Sequence, residues 1–552
     1  MRSSICLASV RRLAESDRLN AGIVATTGCV VIVVSGGTGE FRKGGGFVEA
    51  LPQWTSKIDK RGLDPLGMQN AGVVLYQALL PGISNITLRM RYYGFFCWLS
   101  DAYARRGVTT DFEIWRQWVR RAEALFALVC ADATGQGGVG GIDWAIQTLE
   151  SSDGVIDFAE AASTDGSVKR YLIQSLGVFG AAYYTQMQEM GLFEPGPNGI
   201  QRVTADAGLA AANAFRASIG QNVEAKFIEA VDAATVDRET LAALHSIVPS
   251  RVPDPSDERA AYEDALFAAG PQALVADRSR RASLSLILDV ASREGERPTP
   301  ESVRWALFDP PAADLPDDLE SQRLLWEAYQ CQDLFQVAAA GLLAWAISMM
   351  SEAEDGRTLA EIQSAIDDRL AESEASLAGI TWAGMRDATD VDGFAWRGVW
   401  ARLTGRRGAP GEKAWDAVKL IAALHRRTLV RNDLEGALRK ALPVNGQARS
   451  IVTELRWFDH HGDQTVATLI GEYVLQRVVL RHSWVAMQKL RRQKDYTFLF
   501  EARDGRLVCL NGYQPVPTTP RLAPAIQFLE DVHLVAPDGL TARGRALLGA
   551  KR

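Results

Sequence analysis

Potential metal ligands crowd together at one place in this sequence of 552 residues, where Asp459, His460, His461 and Asp463 lie within five positions. Oxygen and imidazole ligands suit Zn, Mn or Fe, so one hypothesis is a metal-dependent hydrolase that uses these four residues. Neighbouring residues can share one metal only from a loop, however, and the sequence holds no second ligand cluster. A helical pattern begins near Thr465, so we instead expect a polar turn before a helix, with no bound metal.

Other catalytic signatures are incomplete or missing from the sequence. Glu501 with Lys494 could supply part of a restriction-type nuclease centre, but no Glu/Asp-x-Lys follows Glu501 on a strand. The sequence has no GxSxG, HExxH or kinase motif set. Its six cysteines have neither CxxC nor Cys/His spacing. We therefore predict no catalytic residues and no cofactor, and we expect the cysteines to be reduced, mostly buried thiols.

Charge is distributed unevenly along the chain, whose net charge is -7. Residues 397–552 hold 26 Lys and Arg against 14 Asp and Glu, whereas residues 48–396 hold 28 against 50. This asymmetry indicates an interaction surface rather than a requirement of the fold. Because Arg and Lys match phosphate oxygens, we predict that basic residues of the C-terminal third bind DNA or RNA. Alternatively, they neutralise the acidic part of the same chain or a partner protein. The predicted nucleic-acid-binding residues are Arg402, Arg406, Arg407, Arg426, Arg427, Lys489, Arg491, Arg492, Lys494, Arg503 and Arg506.

The elements that must position these residues are predicted to be mainly α, in a multi-domain helical protein with winged-helix-like segments and a C-terminal β-hairpin. Helical patterning begins at Trp54, and a turn at residues 80–82 precedes a helix expected to start at Ser84 or Asn85. Thr110, followed three positions later by a glutamate, predicts a capping box for the next helix. The glycine-rich run 135–141 is interpreted as a flexible connection.

Two segments share one local order, in which a helix leads into a short hairpin and a threonine precedes one more helix. They lie at residues 167–216 and 526–544, and this order is typical of the end of a winged-helix domain. The alternative interpretation is a helical hairpin with a tight turn. Residues 496–510 alternate around Asp504-Gly505, which predicts a β-hairpin.

These patterns suggest four parts of the chain. Residues 48–216 are expected to form a helical domain with a winged-helix-like end, residues 217–440 a helical scaffold, and residues 441–552 a basic C-terminal domain. Residues 1–47 are interpreted as a translated leader or a disordered extension. Their last codons would be purine-rich, like a ribosome-binding site, and Val48 could be a GTG start.

A membrane span is not expected past the N-terminal region. No apolar run there approaches the roughly 18 to 20 residues that a spanning helix needs. The best candidate, Val337 to Met350, indicates a buried helix instead. We therefore expect a soluble, cytoplasmic protein without membrane contact.

Residues 80–93 read Leu-Pro-Gly-Ile-Ser-Asn-Ile-Thr-Leu-Arg-Met-Arg-Tyr-Tyr and run into an aromatic helix. The Pro-Gly turn, the Ser/Thr, the paired arginines and the aromatics resemble the N-terminal signature of a family of uncharacterised bacterial proteins often encoded in phage-defence islands. The likeness covers about 25 residues. It implies a role in phage defence or DNA transactions and offers no catalytic residues to transfer. Considered alone, Arg89 and Arg91 are either buried partners of acidic residues or a functional pair. We favour the first, because burying a charge requires a partner.

The leading hypothesis is a non-catalytic, nucleic-acid-associated component of a bacterial defence or DNA-processing system. The first alternative is an adaptor or assembly subunit, whose acidic helical part binds a protein encoded nearby. The second alternative is the metal-dependent hydrolase or nuclease.

Overall fold

The computed structural model describes residues 64–107, 109–152, 154–268, 273–309, 315–442 and 449–549, and the backbone of residues 23–26 and 29–32. Contacts divide the chain into two compact units, Met1–Ser56 and Lys57–Arg552. In the first unit, β1 (Ile23–Thr26) pairs antiparallel with β2 (Cys29–Ile32). The other predictions for residues 1–47 lie outside the described residues. The domain boundaries predicted at residues 216 and 440 fall inside the second unit.

The second unit is mainly helical, as predicted. Its first eleven α-helices are α1 (Gln69–Leu79), α2 (Arg91–Arg106), α3 (Phe112–Asp132), α4 (Ile142–Glu150), α5 (Tyr184–Glu189), α6 (Ala207–Ile219), α7 (Gln221–Ala233), α8 (Arg238–Ala243), α9 (Asp257–Phe267), α10 (Val275–Glu294) and α11 (Pro300–Phe308). The next eleven are α12 (Asp317–Ser351), α13 (Leu359–Ala378), α14 (Trp382–Ala388), α15 (Trp396–Thr404), α16 (Pro410–Val430), α17 (Asn432–Ala441), α18 (Ile451–His460), α19 (Val466–Tyr473), α20 (Leu480–Gln493), α21 (Leu522–Asp531) and α22 (Ala542–Gly549). Short 3-10 or π turns lie at Glu160–Ala162, Phe179–Tyr183, Pro197–Gly199, His245–Ile247 and Val474–Val479.

The strands of this unit form small two-stranded antiparallel sheets. They are β3 (Ile156–Asp157) with β6 (Thr235–Val236), β4 (Phe193–Pro195) with β5 (Gln201–Val203), β7 (Phe500–Arg503) with β8 (Arg506–Cys509), and β9 (Val535–Ala536) with β10 (Gly539–Leu540). The β7–β8 pair is the hairpin predicted from residues 496–510. Its turn residues Asp504 and Gly505 both have positive φ, 49° and 79°. Asp and Gly tolerate this conformation in a two-residue turn better than other residues.

The long helix α12 forms the centre of the core. It packs against α1, α10, α11, α16 and α17, and its side chains from Val337 to Met350 are almost all buried. Among the described helices, α12 alone is long and apolar enough to cross a membrane by length and composition. However, 83% of its most apolar window is buried inside the protein. The predicted buried helix is therefore confirmed, and it extends from Asp317 to Ser351.

Two predicted helix starts are wrong. The helix expected from Ser84 or Asn85 begins at Arg91, because residues 84–90 make turns that are held by other elements. The Asn85 side chain accepts the Arg521 backbone N–H at 3.1 Å, and the Asp531 carboxylate accepts the Met90 N–H at 2.9 Å. These partners lie in α21 and at the residue before it, far along the chain. Sequence periodicity around residue 85 therefore cannot reveal them.

Helix α3 is capped by a residue one position later than the capping-box pattern indicated. The side chain of Asp111, not that of Thr110, accepts the N–H groups of Glu113 and Ile114 at 2.8 and 3.0 Å. Asp is as good an N-cap residue as Thr or better, and here its extended backbone conformation fits the cap position. The pattern therefore identified the correct helix with a start displaced by one residue.

The two segments with a shared sequence order also share a local structure. In each, a helix runs into a hairpin and a threonine hydroxyl accepts the N–H of a helical glycine at 3.0 Å, Thr204 with Gly208 and Thr541 with Gly544. A Cβ atom on either glycine would lie 2.2 Å from a backbone oxygen of the preceding segment. Glycine is therefore required at both corners for the close approach of hairpin and helix.

Arg89 and Arg91 are both ion-paired with buried carboxylates, in agreement with the favoured interpretation. Arg89 contacts Asp531 at 2.9 Å, and Arg91 donates two hydrogen bonds to Glu258 at 2.7 and 3.0 Å. Arg91 also donates to two backbone carbonyls of the residues that follow α8. These arginines tie α2 to α9 and α21 and have a structural role.

Candidate nucleic-acid interface

The predicted basic residues of α16 lie in or near the core. Arg427 is 7% exposed and donates to the Glu327 carboxylate of α12 at 2.7 and 3.0 Å and to the Phe308 carbonyl at 2.8 Å. Its assignment to a phosphate-binding surface is corrected, because the guanidinium compensates a buried carboxylate. Arg426, one position earlier, is half-buried and lies 3.4 Å from Asp387.

The predicted basic residues in and after α15 are exposed, but one of them is already paired with a carboxylate. Arg402 is exposed and makes a two-pronged ion pair with Asp416 at 2.7 and 2.8 Å. Arg406 and Arg407 lie exposed in the loop between α15 and α16. Among the described residues neither of them has an ion-pair partner, so both remain candidates for phosphate contact.

Helix α20 is fixed to the protein by one face. His482 is buried, with Nδ1 donating to the Pro65 carbonyl at 3.1 Å and Nε2 accepting the Leu499 N–H at 3.0 Å. Arg481 donates from Nε to the Leu66 carbonyl, and Lys489 donates to the Asp64 carbonyl, both at 2.9 Å. His482 is therefore a packed histidine with both ring nitrogens hydrogen-bonded. Residues 64–66 and the residue before β7 thus hold α20 in place.

The opposite face of α20 is exposed and unusually apolar. Leu480, Trp484 and Met487 are 50%, 40% and 46% exposed. Their spacing of four and three residues, continued by Arg491, places them on one face of the helix. Arg481 stacks on the Trp484 indole, with 4.3 Å between the guanidinium carbon and the ring centroid. Burial and the nearby Arg449 charge lower the pKa of Arg481 to about 10, far enough above neutrality for a positive charge to persist there.

Basic residues crowd the carboxyl end of α20. Arg491, Arg492 and Lys494 are exposed and have no carboxylate within ion-pair distance among the described residues. Positive charges at a helix C-terminus also interact favourably with the helix dipole, which gives them a structural role as well. Tyr496 follows, 43% exposed, and hydrogen bonds to Glu501. Burial and this carboxylate raise the pKa of Tyr496 to about 12, so it stays neutral.

We define the α20 surface as Leu480, Trp484, Met487, Arg491, Arg492, Lys494 and Tyr496. It combines flat or apolar side chains with fixed positive charge. Lys489, which donates to the Asp64 carbonyl, lies on the attached face of α20 and is not part of this surface. Sequence reasoning found its basic residues and missed its aromatic and apolar ones. The signal was the apolar spacing 480, 484, 487, which in α20 points outward rather than into the core.

The basic residues of the β7–β8 hairpin are engaged within the protein. Arg503 lies 3.2 Å from Glu501 on the same strand. Arg506 donates to the Gly356 carbonyl at 3.0 Å and to Glu361 at 2.8 Å. These contacts dock the hairpin on the segment after α12, so Arg503 and Arg506 offer less free positive charge than the residues of α20.

The metal-ligand candidates do not converge on one point. The Asp459 carboxylate accepts hydrogen bonds from His425 Nε2 at 2.8 Å and from Arg386 at 3.2 Å. His461 turns the other way and donates from Nδ1 to the Trp457 carbonyl at 2.8 Å. Across the part of the chain that the structure describes, no group of three or more His, Cys, Asp or Glu could hold a metal ion.

Asp459 and His460 are the last residues of α18, and residues 461–464 form the polar turn that was expected before α19. The Gly462 and Gln464 carbonyls accept N–H groups from the first turn of α14 at 3.0 and 2.9 Å. Thr465 then caps α19. Trp382 of α14 donates to His425 at 3.1 Å, and burial lowers the pKa of that imidazole. The polar groups here join α14, α16, α18 and α19.

Comparison of the chain with protein-family models, with curated proteins and with solved structures finds no match.

Proposed function

We propose that the chain is a non-catalytic nucleic-acid-binding component that contacts single-stranded DNA or RNA through the α20 surface. The observation that carries the proposal is an exposed indole, Trp484, on a helix whose carboxyl end carries three positive charges without a carboxylate partner among the described residues. Bases of a single strand can stack on an exposed aromatic ring while Arg and Lys contact the phosphates. The bases of an intact duplex are already stacked on one another and cannot reach such a ring.

The energetic scale of such a surface follows from its composition. Stacking of one base on an aromatic side chain contributes about 1–3 kcal/mol. Each phosphate neutralised on a single strand contributes about 0.7 to the slope of log affinity against log salt. Contacts from Arg491, Arg492 and Lys494 therefore account for about 2 of that slope.

Two finer parts of the proposal have support of their own. The segments 167–216 and 526–544 each contain a helix, a hairpin and a further helix whose first turn is bonded to a threonine. This order supports a winged-helix interpretation, and a winged helix could position groups that contact nucleic acid. A bacterial defence or DNA-processing setting is supported by the resemblance of residues 80–93. Arg406 and Arg407 add charge that a longer strand could use.

The first experiment reverses charge on the intact chain. The variant Arg491→Glu, Arg492→Glu, Lys494→Glu is titrated against a labelled single strand of about 20 nucleotides by fluorescence polarisation at several salt concentrations. We expect weaker binding and a salt slope smaller by about 2. The matched control carries the same three-fold reversal in the acidic part of the chain, at Lys169, Lys226 and Arg251, and should bind as the wild type does. An unchanged slope in the α20 variant, or no binding by the wild type at low salt, would contradict the proposal.

The second experiment isolates stacking. Trp484→Ala should weaken single-strand binding roughly 5- to 150-fold, the equivalent of losing one stacked base. Trp484→Phe should retain most of the affinity, since an aromatic face remains. Met487→Ala, on the same helix face, should have a smaller effect. Equal losses in the alanine and phenylalanine variants would show that the ring does not stack on a base.

A protein adaptor is the second candidate function, and one observation favours it. An apolar groove lies between α1, α10, α12 and α17, apart from the residues of the α20 surface. Nucleic-acid binding and protein binding can coexist on one chain, so the groove does not weaken the first proposal. The described residues give the hydrolase alternative no comparable support.

A further inference from the structure

The groove between α1, α10, α12 and α17 has a volume of about 760 Å³. Leu75, Leu79 and Ala282 line it and are buried. Val74 and Val275 also line it but are 45% and 79% exposed. An apolar groove of this volume, open to solvent, is typical of a binding groove rather than of an ordinary surface.

The shape of the groove suits a helix. Its lining combines five small side chains with larger apolar ones such as Val74, Val275 and Leu325; the small ones are Ala78, Ala276, Ser279, Ala282 and Ala441. Helix α1 has 11 residues and is about 16 Å long, so three turns of a second helix could lie along it. Amphipathic helices enter such grooves with apolar residues spaced i, i+3 or i+4, and i+7.

The residues that line the groove carry net positive charge, whereas the part of the chain that supplies most of them is acidic. Residues 48–396, which supply most of the lining, hold 28 basic against 50 acidic residues. The lining itself contains Arg278, Arg281 and Lys440 against the single acid Asp318. Arg278 and Lys440 are exposed and have no ion-pair partner among the described residues. A basic rim on an otherwise acidic part of the chain favours an acidic occupant.

We propose that this groove docks an amphipathic helix of a partner protein, with apolar side chains in the groove and Asp or Glu facing the basic rim. This interaction surface is separate from nucleic-acid binding and does not depend on it. Apolar burial supplies affinity, and the rim selects partners by the sign of their charge. A chain with both surfaces would join a nucleic acid to an acidic helix of another protein.

The test uses the full chain and two designed peptides of equal length. Each labelled, end-blocked peptide has leucines spaced i, i+4, i+7 and i+11, with glutamates flanking them in one peptide and lysines in the other. Polarisation should show the glutamate peptide binding roughly tenfold tighter than the lysine peptide. The variant Arg278→Glu, Lys440→Glu should reverse this preference.

The apolar contact is tested with Val74→Glu, which should weaken binding of the glutamate peptide at least tenfold. The matched control is Val155→Glu, because Val155 is also an exposed valine, at 69%, and does not line the groove. It should bind as the wild type does. Both positions are exposed, and circular dichroism checks that each variant is folded.

Three results would overturn the proposal. They are absence of binding by the glutamate peptide up to ~0.1 mM, equal binding of both peptides, and undiminished binding by Val74→Glu. Sedimentation of the unliganded chain adds a fourth: if it dimerises and Val74→Glu makes it monomeric, the occupant is a second copy of the chain and not a partner helix.

Discussion

Acid should weaken the attachment of α20 through His482. The imidazole donates from Nδ1 to the Pro65 carbonyl and accepts the Leu499 N–H at Nε2, so both ring nitrogens are used in the neutral form. A proton on Nε2 would face that N–H group. Burial, with a smaller contribution from the Lys489 charge, lowers the pKa of His482 to about 4.

The sign of the pH effect follows from this shift. An unfolded histidine has a pKa of about 6.5, so between about pH 6.5 and 4 the unfolded chain binds a proton that the folded chain does not. Stability from His482 is therefore complete above this range and is lost as the pH falls through it. At about pH 4.5 the two pKa values correspond to a loss of about 2.5 kcal/mol relative to pH 7.5.

The assay compares the wild type with His482→Gln in urea unfolding followed by tryptophan fluorescence. Near neutral pH the variant should be less stable by about 1–3 kcal/mol, because glutamine cannot satisfy both buried partners. At about pH 4.5 the wild type should lose about 2.5 kcal/mol relative to the variant, enough to cancel or reverse the difference, since only the wild type carries the titrating group. The comparison cancels the other titrating residues. A difference that is equal at both pH values would refute this reasoning.

Two further pairs of substitutions are compared by urea unfolding. The first pair concerns a buried and an exposed arginine, and the second concerns two helical glycines. Arg427→Ala should cost about 3 kcal/mol or more, because it removes a buried partner of Glu327, whereas Arg402→Ala on the surface should cost less than about 1 kcal/mol; equal costs would contradict the core position of Arg427. Gly436→Ala should stabilise the chain by about 0.5–1 kcal/mol, because the glycine lies in a helix with nothing within 4 Å of a new Cβ. Gly544→Ala should destabilise the chain by more than about 1 kcal/mol, since its Cβ would lie 2.2 Å from a backbone oxygen. A stabilising effect would contradict the close approach of hairpin and helix at this glycine.

Local patterns in the sequence predicted local structure well. The alternating residues around Asp504-Gly505 form the β7–β8 hairpin, and both threonine corners adopt the same arrangement of helix, hairpin and helix. These features depend on turn chemistry and on side chains a few residues apart. The buried helix around Val337 followed equally directly from its apolar composition.

Features that depend on distant partners could not be predicted in this way. Arg427 looked like a free surface arginine, because its partner Glu327 lies 100 positions earlier in the chain. The helix start near Asn85 was wrong because contacts from Arg521 and Asp531 hold residues 84–90 in turns. Apolar spacing likewise marks a helix face but does not say whether that face meets the core or solvent.

The central claim, that a nucleic-acid strand lies on the α20 surface, is tested most directly by photocrosslinking. A single strand containing 5-bromouracil is irradiated with the full chain, and crosslinked peptides are identified by mass spectrometry after trypsin digestion. Cleavage after Arg481 and Lys489 releases residues 482–489, which include Trp484. We predict that this peptide carries the principal crosslink and that Trp484→Ala reduces it. A strand that binds the chain but crosslinks only to peptides outside residues 480–496 would contradict the account.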